Sequence, residues 1–179
     1  MTIFWDVLDV LGLLTAPGLE HLSIQFGDLD KHARVVRAFL LRSSCPLGYL
    51  VLQSASPPLA VEVVSAIPGL PSLEIRQYSN IDGIIKLFNC NLPEGVLLLG
   101  PRLKSLKFIL LGCLKQEEVV ELSTMVASRA RNVKVDGVQT LTLWAALSWM
   151  NTRINLAILQ SQCEEQGVKL TVDGNFKRS

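Results

Sequence analysis

The chain is poor in the residues from which most active sites and nucleic-acid surfaces are built. It has only two histidines, His21 and His32, and charged residues make up 18% of its 179 positions. Basic and acidic side chains nearly cancel, at a formal net charge of +1, so there is no cationic surplus to hold a phosphate backbone. The four cysteines, Cys45, Cys90, Cys113 and Cys163, form no C-x-x-C pair, which argues against a zinc knuckle or a thioredoxin-type site. They read as reduced, mostly buried thiols. No G-x-G-x-x-G, G-x-x-x-x-G-K-[ST] or G-x-S-x-G occurs. The opening "MTIFWDVLDVLGLLTAPG" has no basic n-region and is interrupted by Asp6 and Asp9, so it makes a poor signal peptide. The apolar run 96–114 contains Arg102, Lys104 and Lys107, too many charges for a membrane span. The expectation is a cytoplasmic or nuclear protein with no membrane partner, no nucleic-acid partner, no cofactor and no metal.

Apolar side chains are what the sequence has in quantity, at 49%, and with aromatics at only 6% they are chiefly leucine and valine. They recur in a pattern, L-x-x-L-x-L. "GLEHLSIQF" places Leu19, Leu22 and Ile24 in it, and "PLGYLVLQS" places Leu47, Leu50 and Leu52. "GLPSLEIRQ" follows with Leu70, Leu73 and Ile75, then "RLKSLKFIL" with Leu103, Leu106 and Phe108. "GVQTLTLWA" has Val138, Leu141 and Leu143, and the weaker "GVKLTVDGN" has Leu170 and Val172. The middle residues fall at 22, 50, 73, 106, 141 and 170. Steps of 23 to 35 residues are irregular and at the long end for leucine-rich repeats, each of which pairs a strand with a helix.

Helical signals fill the intervals. Residues 30–43 carry apolar side chains at 35, 36, 39 and 40, one helical face. Residues 57–67 open on two prolines, suited to a helix start. Residues 81–88 form a weaker helix containing Gly83. Residues 115–132 place acids early and arginines late, as the helix dipole favours. Residues 150–167 end on Gly167, a C-cap. Phe4, Val7, Leu8, Leu11 and Leu14 make a first helix. The order is one helix, five strand–helix units and a closing strand.

Strands buried on both faces read as continuous apolar runs, whereas "LEHLSIQ" and "LKSLKF" alternate, so one strand face is wet. The fold class is therefore α/β: a leucine-rich-repeat-like solenoid over residues 1–179, with about six parallel strands on the concave side and helices on the convex side. Such repeats usually carry Asn or Cys three residues after the third apolar position. Gly27, Ala55, Tyr78, Leu111 and Ala146 stand there instead, so the repeats are degenerate.

The stretches "LLTAPGLEHLSI", "FLLRSSCPLGYLVL", "PRLKSLKFILLGC", "EEVVELSTMVASRAR", "GVQTLTLW" and "CEEQGVKLTVDG" span most of residues 11–174. In that order they resemble the leucine-rich region of basidiomycete-type fungal F-box proteins. The resemblance implies a substrate-recognition role in a ubiquitin ligase, exercised without catalysis. It implies the ligase adaptor as a second partner only where an F-box accompanies the repeats in the full gene. No F-box is found in these residues, which open on what reads as the last helix of an earlier repeat. An N-terminal cap is likewise not found, and Phe4 and Trp5 are candidates for a patch that a preceding repeat would cover.

Other motifs have plain readings. His21 falls on a strand and His32 at a helix start, and both read as surface or concave-face histidines. "SSCP" could lower the Cys45 thiol pKa through Arg42, but it also reads as a helix end leading into a strand. "RARNVKVDG" could touch phosphate, and reads more simply as a solvated helix end. Trp149 follows Trp144 closely. Trp144 either faces the concave surface or packs on the loop above its strand. The wet positions are His21, Ser23 and Gln25; Tyr49, Val51 and Gln53; Ser72, Glu74 and Arg76; Ser105, Lys107 and Ile109; Thr140, Thr142 and Trp144; and Lys169, Thr171 and Asp173. Six strands span about 25 Å, a width that suits a protein. The expected function is capture of an unknown protein substrate on the concave face, through His21, Gln25, Tyr49, Gln53, Glu74, Arg76, Lys107 and Trp144. A truncated or self-associating repeat remnant with no ligase role is the alternative. An α/β enzyme using strand ends and a lone thiol is a third reading, and the alternating strands argue against it.

Overall fold

The leucine spacing becomes strand register. In the computed structural model the described residues are 1–3, 10–26, 31–77, 82–89, 99–110, 115–132, 137–145 and 151–173. They contain seven strands: β1 (Thr2–Ile3), β2 (His21–Gln25), β3 (Tyr49–Gln53), β4 (Ser72–Gln77), β5 (Ser105–Leu110), β6 (Thr140–Ala145) and β7 (Lys169–Asp173). They pair in sequential order into one sheet, and every pairing is parallel. The middle residues of the six motifs stand in one row across it, Leu22 to Leu50 to Leu73 to Leu106 to Leu141 to Leu170. A second row runs Ile24, Leu52, Ile75, Phe108, Leu143 and Val172. Alternation with period 2 points both rows to the same side of the sheet.

Five helices connect the strands: α1 (Lys31–Ser43), α2 (Pro57–Ser65), α3 (Asp82–Leu87), α4 (Gln116–Arg131) and α5 (Asn151–Glu165). Each packs on the next, α1 on α2 through to α4 on α5. Their apolar stripes close over the leucine rows: Val36 and Phe39 of α1, Leu59, Val63 and Val64 of α2, Ile84 and Ile85 of α3, Leu122 and Met125 of α4, and Leu159 of α5 belong to one buried cluster with the strands. The protein is thus a parallel sheet with a helix layer on one face.

The helix ends follow local chemistry. Pro57 and Pro58 occupy the first positions of α2, where a missing N–H costs nothing. Glu118 accepts a hydrogen bond from the Lys115 backbone N–H at 2.8 Å, anchoring the start of α4. Gly167, at φ +68°, ends α5 with Val168 N–H donating to the Cys163 carbonyl at 2.7 Å. A backbone contact repeats at three steps of the sheet. The carbonyls of Glu20, Pro71 and Lys104, each just before a strand, accept from two successive N–H groups of the following repeat. This sets the register before the strands begin.

The start of the chain differs from expectation. Thr2–Ile3 is a strand paired to β2, and residues 10–13 form a 3₁₀ turn. The rest of the expected first helix, with Phe4 and Trp5, lies outside the described residues. Arg42 of α1 holds the turn down, its guanidinium donating to the Leu11 and Leu14 carbonyls at 2.6 Å each. That guanidinium is therefore directed at backbone oxygens and not at Cys45.

Each leucine of the central row is fully buried from Leu22 to Leu141, and burial of such a side chain contributes about 1.5–3 kcal/mol before entropy. Leu106→Ala is expected to lower unfolding free energy by about 2–5 kcal/mol in denaturant titrations. Leu106→Asp and Leu141→Asp are expected to abolish the cooperative melt. A wild-type melt in either aspartate variant would contradict the shared core.

Candidate binding surface

The sheet face opposite the helices carries the intervening residues. Register places them in three rows: His21, Tyr49, Ser72, Ser105, Thr140 and Lys169; then Ser23, Val51, Glu74, Lys107, Thr142 and Thr171; then Gln25, Gln53, Arg76, Ile109, Trp144 and Asp173. All eight residues expected to meet a partner lie on this one face. β2 and β5 alternate between buried and accessible as a one-sided sheet should. β3 and β4 do not, because Val51 and Glu74 are buried. Glu74 is 1% exposed, so the expectation that it is wet and meets a partner directly is corrected.

The cause is a polar cluster built over that carboxylate. Tyr49, on the neighbouring strand, donates its hydroxyl to Glu74 Oε2 in a short hydrogen bond. Arg76, two residues along the same strand and so on the same face, donates through Nε to Oε1 at 2.5 Å. Lys107, directly across on β5, brings Nζ to 3.2 Å from Oε2. His21 meets the Tyr49 ring edge-on, with centroids 6.0 Å apart. Five of the eight expected residues are therefore one connected group over β2–β5. Gln53 pairs with Arg76 in the next row, Gln25 lies beyond it, and Trp144 stands two strands away.

The electrostatics follow. Burial alone would raise the Glu74 pKa, but hydrogen bonds from Tyr49, Arg76 and Lys107 outweigh it and hold the carboxyl below its ordinary value. Burial, then the bond to Glu74, pushes Tyr49 up to about 12. A carboxylate already accepting three donors is a weak base, and a phenol this reluctant to ionise is a weak nucleophile. The cluster holds charge in place and is poorly suited to moving a proton.

Elsewhere the expected chemistry changes place. His32 is buried, not on the surface, and its Nδ1 makes no hydrogen bond to a described residue. Arg129 is no part of a solvated helix end: it is 1% exposed and donates to the carbonyls of Leu99 at 3.1 Å and Gly100 at 2.5 Å. Its spacing after Leu122, Met125 and Val126 on the α4 stripe was the available signal. Burial, then the Glu164 charge, pushes the Cys163 thiol up to about 11, so it stays protonated. Cys90, Cys113, Trp149 and most of the "RNVKVDG" segment lie outside the described residues, as do Gly27, Tyr78, Leu111 and Ala146. Ala55 is buried, and its carbonyl accepts from the Gln77 side chain at 2.5 Å.

Among the described residues, no group of three or more His, Cys, Asp or Glu could hold a metal ion, and no helix is long and apolar enough to cross a membrane. Comparison with protein-family models, curated proteins and solved structures finds no match.

The cluster sets a pH signature. The Glu74 carboxyl is lowered in the fold, so its stabilisation is complete above the ordinary value of 4.5 and is lost as pH falls through the folded value. Glu74→Gln is expected to lose about 1.5–3 kcal/mol at neutral pH, and that gap should close on acidification below pH about 4.5. Tyr49 is raised, so its stabilisation is complete below pH 10 and fades as pH rises towards 12. In a tyrosinate absorbance titration one of the two tyrosines should ionise near 12, and Tyr49→Phe should remove that step. An ordinary titration for both would contradict the cluster.

Proposed function

We propose that this is a non-catalytic, protein-binding repeat domain, a degenerate leucine-rich-repeat solenoid whose open sheet face, concave in that reading, captures a protein. The observation that carries the reading is the register itself. Six successive motifs put their leucines on one face and leave on the other a continuous, mostly polar and half-exposed surface. Sequential parallel order with one face uncovered is how repeat proteins make extended binding surfaces. The Tyr49–Glu74–Arg76–Lys107 cluster stiffens the middle of it, and rigid, pre-ordered side chains lose less entropy on binding. The resemblance to the leucine-rich region of fungal F-box proteins extends the proposal to a substrate receptor of a ubiquitin ligase, in the cytoplasm or nucleus.

Self-association is the second reading. It is favoured by Val10, Leu13 and Leu14, which are exposed at the turn that Arg42 holds, Leu13 to 88%. Light scattering over a range of concentrations separates the two, since only self-association gives dimers without a partner.

The main test is a C-terminal tag at the native locus, followed by pull-down and intact mass. The expected result is a partner retained by the wild type and lost with Tyr49→Ala, Arg76→Ala and Trp144→Ala combined, in a variant that still melts cooperatively. Unaltered capture would move the site off this face. A product of 179 residues that brings down no ligase adaptor would end the ubiquitin reading and leave the binding domain.

A further inference from the structure

We infer that the open face grips an acidic side chain, Asp or Glu, in an extended segment of its protein partner, with Arg76 as the gripping residue and Lys107 beside it. The inference rests on the reading of this face as a protein-binding surface. It begins with what Arg76 does not use. The guanidinium is tied to Glu74 through Nε at 2.5 Å, while Nη1 and Nη2 make no hydrogen bond to any described residue. The side chain is 46% exposed, and that of Lys107 is 38% exposed. The anion that orients both lies beneath them, 1% exposed and shared by two cations. Among the described side chains at the centre of this face, the accessible charge is thus all positive. It is one unit in excess of the buried carboxylate.

A guanidinium held by Nε presents its two terminal nitrogens as a planar fork, the geometry that a carboxylate accepts with two parallel bonds. Glu74 is in this sense a positioning residue. It fixes the fork and, at 1% exposed, has almost no surface of its own to offer a ligand. Along the same row, Ile109 and Trp144 follow one and two strands on, about 5 and 10 Å away, and both are half-buried. Trp144 makes no hydrogen bond to a described residue. A segment in the extended polyproline II conformation advances about 3.1 Å per residue and returns to the same side every third residue, so a chain crossing the strands would place an apolar residue on Trp144 about three positions from the acid on Arg76. Arginine and tryptophan are the side chains that most often anchor such contacts. Two cations are too few to hold a nucleic-acid backbone, whose binding draws on many phosphate contacts.

The test is selection of a randomised peptide library on the full chain, with each peptide displayed internally so that no terminal carboxylate is present. The expected result is enrichment of Asp or Glu with an apolar residue roughly three positions away. Arg76→Lys keeps the charge and removes the fork, and should weaken the selected peptides about tenfold in a variant that still melts cooperatively. Selected peptides without an acidic preference, or with equal affinity for Arg76→Lys, would overturn the inference. If Trp144→Ala still weakened those peptides, the binding-face reading would stand. Selection of nothing, or of peptides indifferent to both substitutions, would overturn both. A single-stranded oligonucleotide that bound as tightly as the peptides and was equally sensitive to Arg76→Lys would also overturn it, in favour of a nucleic-acid partner.

Discussion

The burial of one row of leucines against one layer of helices is the constraint on which the rest depends. Leu22, Leu50, Leu73, Leu106 and Leu141 can all be buried only if every strand enters the sheet in the same register. A slip of one residue would turn a whole strand's leucines to solvent, at about 1.5–3 kcal/mol for each side chain. The penalty makes the register unambiguous, and the paired backbone acceptors at Glu20, Pro71 and Lys104 reinforce it. No single strand–helix unit can hide its leucines alone. Stability therefore belongs to the array.

The polar cluster follows from that constraint. Once the leucines are committed to one side, Tyr49, Glu74, Arg76 and Lys107 have no choice but to meet on the other. A carboxylate buried in a sheet would be costly alone, and here a hydroxyl and two cations meet it. The arrangement inverts a simple picture of the open face. Its most central charged residue is covered, and at its centre the accessible charge belongs to Arg76 and Lys107, the two cations that cover it.

Much of this was legible in the sequence, for a physical reason. Period-2 and period-3.6 patterns are set by burial, and burial is what a leucine-rich chain displays. The six marks fall in one row, and α1, α2, α3, α4 and α5 lie within two residues of the bounds that their apolar faces suggest. Lateral contacts were not legible. The alternation that places Glu74 on the open face says nothing of Tyr49 and Lys107 closing over it from two other strands. Nor does it reveal that Val51, beside Glu74 in the row, is covered too. Thr2–Ile3 is too short for a periodic signal. Arg129 differs from expectation because a charged residue near a helix end suggests solvent, whereas its position on the apolar stripe of α4 points inward.

The most direct measurement is amine-reactive crosslinking of the captured complex, read by mass spectrometry. Lys107 and Lys169 lie on the open face, whereas Lys86 lies on α3 and Lys115 at the start of α4, among the helices. The account predicts that the partner is linked through Lys107 and Lys169. Links confined to Lys86 and Lys115 would place the partner on the helices and contradict it.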